Sequence, residues 1–307
     1  MQADTKGGQT MITFSLLPSN KLVVYQQSLE DLEKEFSYPL SGGRSFKISH
    51  GSDYKAFFDQ MGEAQFILAH DGNDLVAVMT ATYKDIMIGG EVRKALYLAD
   101  LKVRSSHRGK ILGLRMYWRS FLYGLMRKEF WRSDLIYFVT MQGERGDFAS
   151  HSPKFSPVSL FSSLAEFSIF FADPLRVASI TELSVAERVD KSSVLGLSPV
   201  TAMALTVDLK GKKDLLVDGE ILPMRLTHLN SLDLWGQDYL KLLVDTGRKI
   251  SSSHAQLCFA VDKRRGDLLK HLAINGIKPS GSALIHGLSL NRSIRNSTFC
   301  TVGTFQI

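Results

Sequence analysis

The sequence predicts a protein of the α/β (α+β) class, built on a mixed but mainly antiparallel sheet. Residues 65–69, 75–83 and 94–103 are apolar, β-branched runs joined by the turn signals Asp71-Gly72-Asn73-Asp74 and Gly89-Gly90, which makes an antiparallel meander. Residues 111–127 then switch to helical spacing, with Leu114, Trp118, Phe121, Leu122 and Leu125 on one face. The run LIYFVTM at 135–141 suits a buried strand, and the order strand, helix, strand requires a parallel crossover.

Around that frame the remaining elements are read in chain order. Residues 1–20 read as a frayed lead-in, and 27–36 as a short surface helix from the spacing of Leu29, Leu32 and Phe36. A strand is expected at 45–49, and Asp53 stands where an N-cap belongs before a helix over 54–61. After the loop at 143–158, strands are expected at 176–183, 201–209 and 215–217, and a helix at 234–247. The ending is clearer: a strand at 256–261, a helix at 266–275 closed by Gly276 in a left-handed cap, and a strand at 283–290.

Composition bounds the class. A hydrophobic share of 44% with 22% charged residues is that of an ordinary globular chain, and 307 residues suggest two domains, placed at 1–170 and 171–307. No apolar run approaches the roughly 20 residues of a membrane span, and the start lacks a charged segment followed by an apolar one, so a cytoplasmic location is expected. The two cysteines, Cys258 and Cys300, have no second Cys or His at ligand spacing, and no metal is expected. The net charge of +6 is uneven: ten Lys and Arg residues fall between Lys94 and Arg132, which favours an anionic ligand.

The chemistry-bearing element is the turn Arg104-Ser105-Ser106-His107-Arg108-Gly109-Lys110, set between a strand and a helix. The first turn of a helix presents unpaired N–H groups and partial positive charge, so a phosphate can bind there. Arg108 and Lys110 reinforce that charge, and Gly109 permits close approach of the backbone. A pyrophosphate is the natural ligand.

The segment LADLKVRSSHRGKILG, with this order of elements, resembles the GNAT superfamily of acyl-CoA N-acyltransferases, whose signature R/Q-x-x-G-x-G/A follows the fourth strand. Arg108 matches its leading position, Gly109 the glycine that often follows, and Gly113 its closing residue, whereas Ile111 stands at the first motif glycine. The resemblance implies that acetyl-CoA or another acyl-CoA is the co-substrate and that a small-molecule amine or a peptide accepts the acyl group. It implies that the backbone of Leu101, Lys102 and Val103 pairs with the pantetheine arm, that N–H groups of Lys110, Leu112 and Leu114 meet the phosphates, and that Asp100 is the catalytic base. A tyrosine general acid is usual after the fifth strand, but residues 143–171 contain no Tyr; His151 is a loop candidate. The ending from Cys258 to Leu288 is similar to the last third of a second, degenerate GNAT copy, for which His254, His271 and His286 are candidate pocket walls.

Alternatives remain at this stage. The chain could bind acyl-CoA without catalysis, or take its acyl group from an acyl-carrier protein, whose acidic surface would suit a basic one. Tyr117, Trp118, Tyr123 and Trp131 interleave with the basic stretch as nucleic-acid stacking surfaces do, but packing of Trp118 in the core is the cheaper explanation, which argues against nucleic acid.

Overall fold

The computed structural model describes residues 11–39, 45–108, 111–142, 157–182, 194–200, 206–217, 223–224, 226–230, 236–250, 256–290, 294 and 299–307. The chain opens with β1 (Ile12–Pro18), followed by α1 (Gln26–Glu33), the short β2 (Tyr38–Pro39), β3 (Ser45–Ser49) and α2 (Tyr54–Asp59). The meander is β4 (Glu63–Asp71), β5 (Asp74–Ile88) and β6 (Glu91–Val103). Its turns use the left-handed conformation that glycine adopts without strain: Gly72 at φ 62, then Gly89 and Gly90 at φ 58 and 83. The lead-in reading of 1–20 is corrected, because β1 pairs with β4 along its whole length.

The crossover follows. Helices α3 (Leu112–Leu125) and α4 (Lys128–Trp131) lead to β7 (Leu135–Gln142), which lies parallel to β6. Strand β5 reads as a continuous apolar run because it is covered on both faces, by α1 and α2 on one side and α3 on the other.

The second half begins with β8 (Ser162–Ala172), a strand the sequence reading missed, and α5 (Pro174–Ala178). The expected strand at 176–183 is corrected: Asp173 caps Leu175 N–H and Pro174 takes the first helical position, so a short helix forms. Then come β9 (Val194–Gly196), β10 (Thr206–Asp208), β11 (Asp214–Val217), β12 (Pro223–Met224), β13 (Leu226–Leu229) and α6 (Gly236–Ile250). The chain ends through β14 (Gln256–Asp262), α7 (Gly266–Ile274), β15 (Gly281–Ser289) and β16 (Phe299–Thr301). Gly276 adopts φ 71 after α7, the left-handed cap expected there.

Among the described residues, one 12-stranded sheet runs β1-β4-β5-β6-β7-β15-β8-β14-β13-β10, with β9 and β16 beside β5. A second sheet, β12-β11-β3-β2, packs against it. The large sheet has an internal symmetry. In the first half β6 and β7 are parallel and joined through α3, and in the second β13 and β14 are parallel and joined through α6. The strand that follows each pair crosses over: β8 pairs with β14, and β15 returns to pair with β7. The two central strands, β15 and β8, are then antiparallel neighbours. An edge of each half is thereby covered by a strand from the other.

Candidate active site

The central opening is made where β6 and β7 part. Their ladder runs from Ala95 with Leu135 to Leu98 with Phe138 and goes no further. Beyond it β6 stays with β5 as far as Val103, while β7 follows β15 as far as Gln142. A bulge bends β6 at this point: Asp100 and Leu101 together face Met79, and Asp100 takes φ 54, a left-handed conformation that Asp tolerates better than most residues. The bulge also rephases the strand. Tyr97 and Ala99 face the α1–α2 side, Leu98 and Leu101 face α3, and Lys102 is returned to the α1–α2 side instead of pointing at α3.

A cavity of about 580 Å³ occupies the opening. Met79, Leu98, Tyr117 and Phe138 line it on the α3 side, while Ala99, Val139, His50, Phe57 and Phe58 line it on the other, so it passes through the sheet. The small sheet contributes Tyr38, Phe46 and Ile48, and the second half contributes Lys213, Gln306 and Ile307. Lys213 Nζ donates to Phe305 O at 2.7 Å and to Ile307 O at 2.9 Å, and burial pulls its pKa down to about 8.

Behind one wall lies a buried ionic cluster. Lys102 Nζ stands 2.8 Å from Glu33 Oε1 and 2.6 Å from Asp100 Oδ1, with the lysine side chain only 1% exposed. Tyr54 O–H donates to the Asp100 carboxylate, and His50 meets Glu33 twice, through Nδ1 and through its backbone N–H at 3.1 Å. Burial alone would raise the Asp100 pKa, but the Lys102 ammonium above all, then His50 and Tyr54, hold it down to about 2. The phenol of Tyr54 is pushed well above its ordinary value by burial and by that carboxylate. Glu33, His50 and Asp100 bring one ligand atom each within 4.8 Å of one another, a spacing that suits a cation, and the Lys102 ammonium supplies that charge to both carboxylates.

Asp100 lines the cavity, with its carboxylate held down to about 2 and committed to Lys102 and Tyr54. His50 lines the same cavity. Glu33 is held below the usual carboxylate range despite its burial, by its contacts with His50 and then with Lys102. The sequence reading passed over Glu33 as one acid among several on a surface helix; in fact α1 buries Leu29, Leu32 and Glu33 together.

Residues 104–108, ahead of α3, are tied down by side-chain contacts. Ser105 N–H and hydroxyl donate to Glu35 at 3.1 and 3.2 Å, Arg104 pairs with the same carboxylate at 3.4 Å, and His107 Nε2 lies 3.0 Å from Asp71. Arg108 Nε donates to Val103 O at 3.0 Å, and its guanidinium stacks 4.6 Å above Phe36, which aims an exposed cation beside the turn. Gly109 and Lys110 lie outside the described residues. Helix α3 has no side-chain cap and no acid in its first turn, so Leu112, Gly113 and Leu114 present N–H groups there, and a Cβ added at Gly113 would meet open space. On the open side of β6, Leu101, Lys102 and Val103 have no ladder partner among the described residues.

Ile111 holds φ 60 at the N-cap and is 66% exposed. The backbone keeps a conformation that favours glycine while the residue is β-branched, at a cost of about 1–2 kcal/mol that no packing offsets. Ile111→Gly is expected to raise the urea midpoint by the equivalent of about 0.5–1 kcal/mol, the entropy of glycine taking back part of the relief. An unchanged or lower midpoint would show that the left-handed conformation is not strained.

Other expectations are redistributed. The buried face of α3 is Leu112, Met116, Tyr117, Ser120 and Gly124, whereas Trp118 and Leu122 are 43% and 47% exposed. The helix carries more apolar residues than its inner face needs, and small Gly124 marks that face because the Phe130 ring packs directly on it. Trp118 is therefore not core. The basic stretch is no free stripe either: Lys102 is buried, Arg127 pairs with Glu63 and Glu129, Lys94 pairs with Asp85, and Arg115 and Arg119 stack on Phe14. Asp53 makes no side-chain capping bond to α2; its backbone carbonyl accepts from Ala56 N–H. His286 lies one layer behind the cavity, stacked on Phe138 and 3.2 Å from Thr140, and His271 sits on α7 away from the cavity lining. His151 and His254 lie outside the described residues. No helix among the described residues is long and apolar enough to cross a membrane.

No family model matches the chain, and no curated protein does. Among solved structures it is similar to a candidate acetyltransferase from Pyrococcus horikoshii, at 9% identity over 100% of this chain and 99% of that one, with a TM-score of 0.48. It is also similar to a conserved protein of unknown function from Enterococcus faecalis V583, proposed as an N-acyltransferase, at 11% identity over 91% of this chain and 72% of the other, with a TM-score of 0.45. A GCN5-related N-acetyltransferase from Kribbella flavida matches at 11% identity, 90% and 71% coverage and a TM-score of 0.41. Identities this low leave the chemistry to this chain's own residues.

Proposed function

We propose that the chain is a GNAT-type N-acyltransferase that moves an acyl group from acyl-CoA to a primary amine of a small molecule or peptide. The observation that carries this reading is the parting of β6 and β7 beside an uncapped helix, with a cavity lined by Leu98 to Leu101 of β6 and by Tyr117 of that helix. The residues fit such a thioester. N–H groups of Leu112, Gly113 and Leu114, with Arg108, face its phosphates, and the edge of Leu101 to Val103, apart from the Val103 carbonyl taken by Arg108, offers backbone bonds to its amide arm. The residue spans 1–170 and 171–307 serve as two related units with exchanged strands, the second closing the cavity through Lys213 and Ile307.

His50, oriented by Glu33, accepts the proton of the attacking amine as the C–N bond forms. The C–S bond breaks, the sulfur leaves as thiolate, and the proton returns to it, so that an amide and free thiol result. Lys102 and Asp100 hold the wall that fixes His50 and keep negative charge on the amine side of the cavity.

The test is thiol release from acyl-CoA across an amine panel. Amine-dependent thiol is expected, and Arg108→Glu is expected to raise KM for acyl-CoA about tenfold to a hundredfold, the range for a charged hydrogen bond. Binding without thiol from any amine would instead favour a non-catalytic acyl-CoA-binding module.

A further inference from the structure

We infer that the acyl group taken by this site is an aliphatic chain much longer than acetyl, lodged in the apolar end of the cavity between β3 and β7. The inference rests on the acyl-CoA reading above. An acetyl group carries a single methyl beyond its carbonyl, whereas the cavity of about 580 Å³ lies within the range of pockets that enclose whole ligands, roughly 300–1,000 Å³. Its lining includes both a polar pair and an apolar cluster. Asp100 and His50 stand together on the wall backed by Lys102 and Glu33, while Phe46, Ile48 and Met141 form one apolar cluster backed by Leu215 and Leu226. A charged or polar amine has reason to approach the first wall and none to enter the second. Hydrocarbon gains from the second, because an apolar chamber offers water no hydrogen bonds. Ala99 and Val139 line the cavity where β6 and β7 part.

The experiment titrates the full chain with CoA and with acetyl-, hexanoyl-, decanoyl- and palmitoyl-CoA below their micelle concentrations. The expected result is a dissociation constant that falls about twofold to fourfold per added methylene and then levels off when the chamber is full. Met141→Trp and, independently, Ile48→Phe are expected to move that levelling point to shorter chains. Equal affinity for acetyl- and decanoyl-CoA would overturn the inference while leaving the acyl-CoA reading intact. A length-dependent gain that neither substitution changes would overturn it too, since the chain would then lie elsewhere on the protein. Failure of CoA and every thioester to bind would overturn the acyl-CoA reading itself, and the inference with it.

Discussion

Replacing Lys102 with Met is expected to destabilise the protein by about 3–5 kcal/mol, a large share of the roughly 5–15 kcal/mol that holds a typical domain together. The reason is asymmetry. The ammonium is the shared partner of Glu33 and Asp100, both withdrawn from water, and its removal leaves two buried carboxylates with only Tyr54 and His50 beside them. The variant should recover part of the loss when Asp100→Asn is added, because one buried charge then disappears. Acid unfolding adds a second readout. Asp100 has a folded pKa depressed to about 2, so its contribution is complete above its ordinary value near 3.8 and is lost as pH falls through about 2. Without Lys102 that depression shrinks and the acid transition moves to higher pH. Chemical denaturation at several pH values measures both effects; a loss below 1 kcal/mol with an unmoved acid limb would mean that the cluster does not hold the wall.

The second large effect falls on catalysis. His50→Ala is expected to lower kcat by about 10²–10⁴-fold, the usual contribution of a general base, while the KM for acyl-CoA stays near that of the parent. A structural role would behave differently, lowering the melting temperature and raising KM together. The comparison that decides the assignment is Asp100→Asn. If Asp100 were the base, its loss would carry the larger fall in kcat. With His50 as base, the larger fall belongs to His50→Ala rather than to Asp100→Asn. The latter variant is expected to be less stable than the parent, since Lys102 and Tyr54 lose an ionised partner.

Much of this architecture was legible because its signals are local. Alternating runs with glycine turns marked the meander, and a strand-helix-strand order marked the parallel crossover that opens the site. What escaped depended on distant pairings. Strand β8 is an apolar run beside a polar loop, and only its partners β14 and β15, about a hundred residues later in the chain, define it. Strand β1 likewise needs β4. The phase of α3 was misread because Ser120 and Gly124, the small residues on its inner face, carry no hydropathy signal; their meaning lies in the approach of Phe130.

The site shows the same division. Arg108 and the helix start could be read from a short motif, whereas the ionic cluster gathers residues from α1, β3, α2 and β6. One clue was present: Glu33 falls four residues after Leu29 and three before Phe36, on the apolar stripe of its own helix, where an acid demands a buried partner. Lys102 offered no such clue, because the bulge at Asp100 reverses the alternation that would otherwise place its side chain beside α3.

The central claim is that acyl-CoA lies along the open edge of β6 with its phosphates at the start of α3. Hydrogen–deuterium exchange with and without a non-hydrolysable acyl-CoA thioether tests this most directly. Slowed exchange is expected at the amides of Leu112 to Leu114 and along residues 99–103, with little change in the helices of the second half. Saturable binding that leaves those amides unprotected, or protects a different face, would contradict the account.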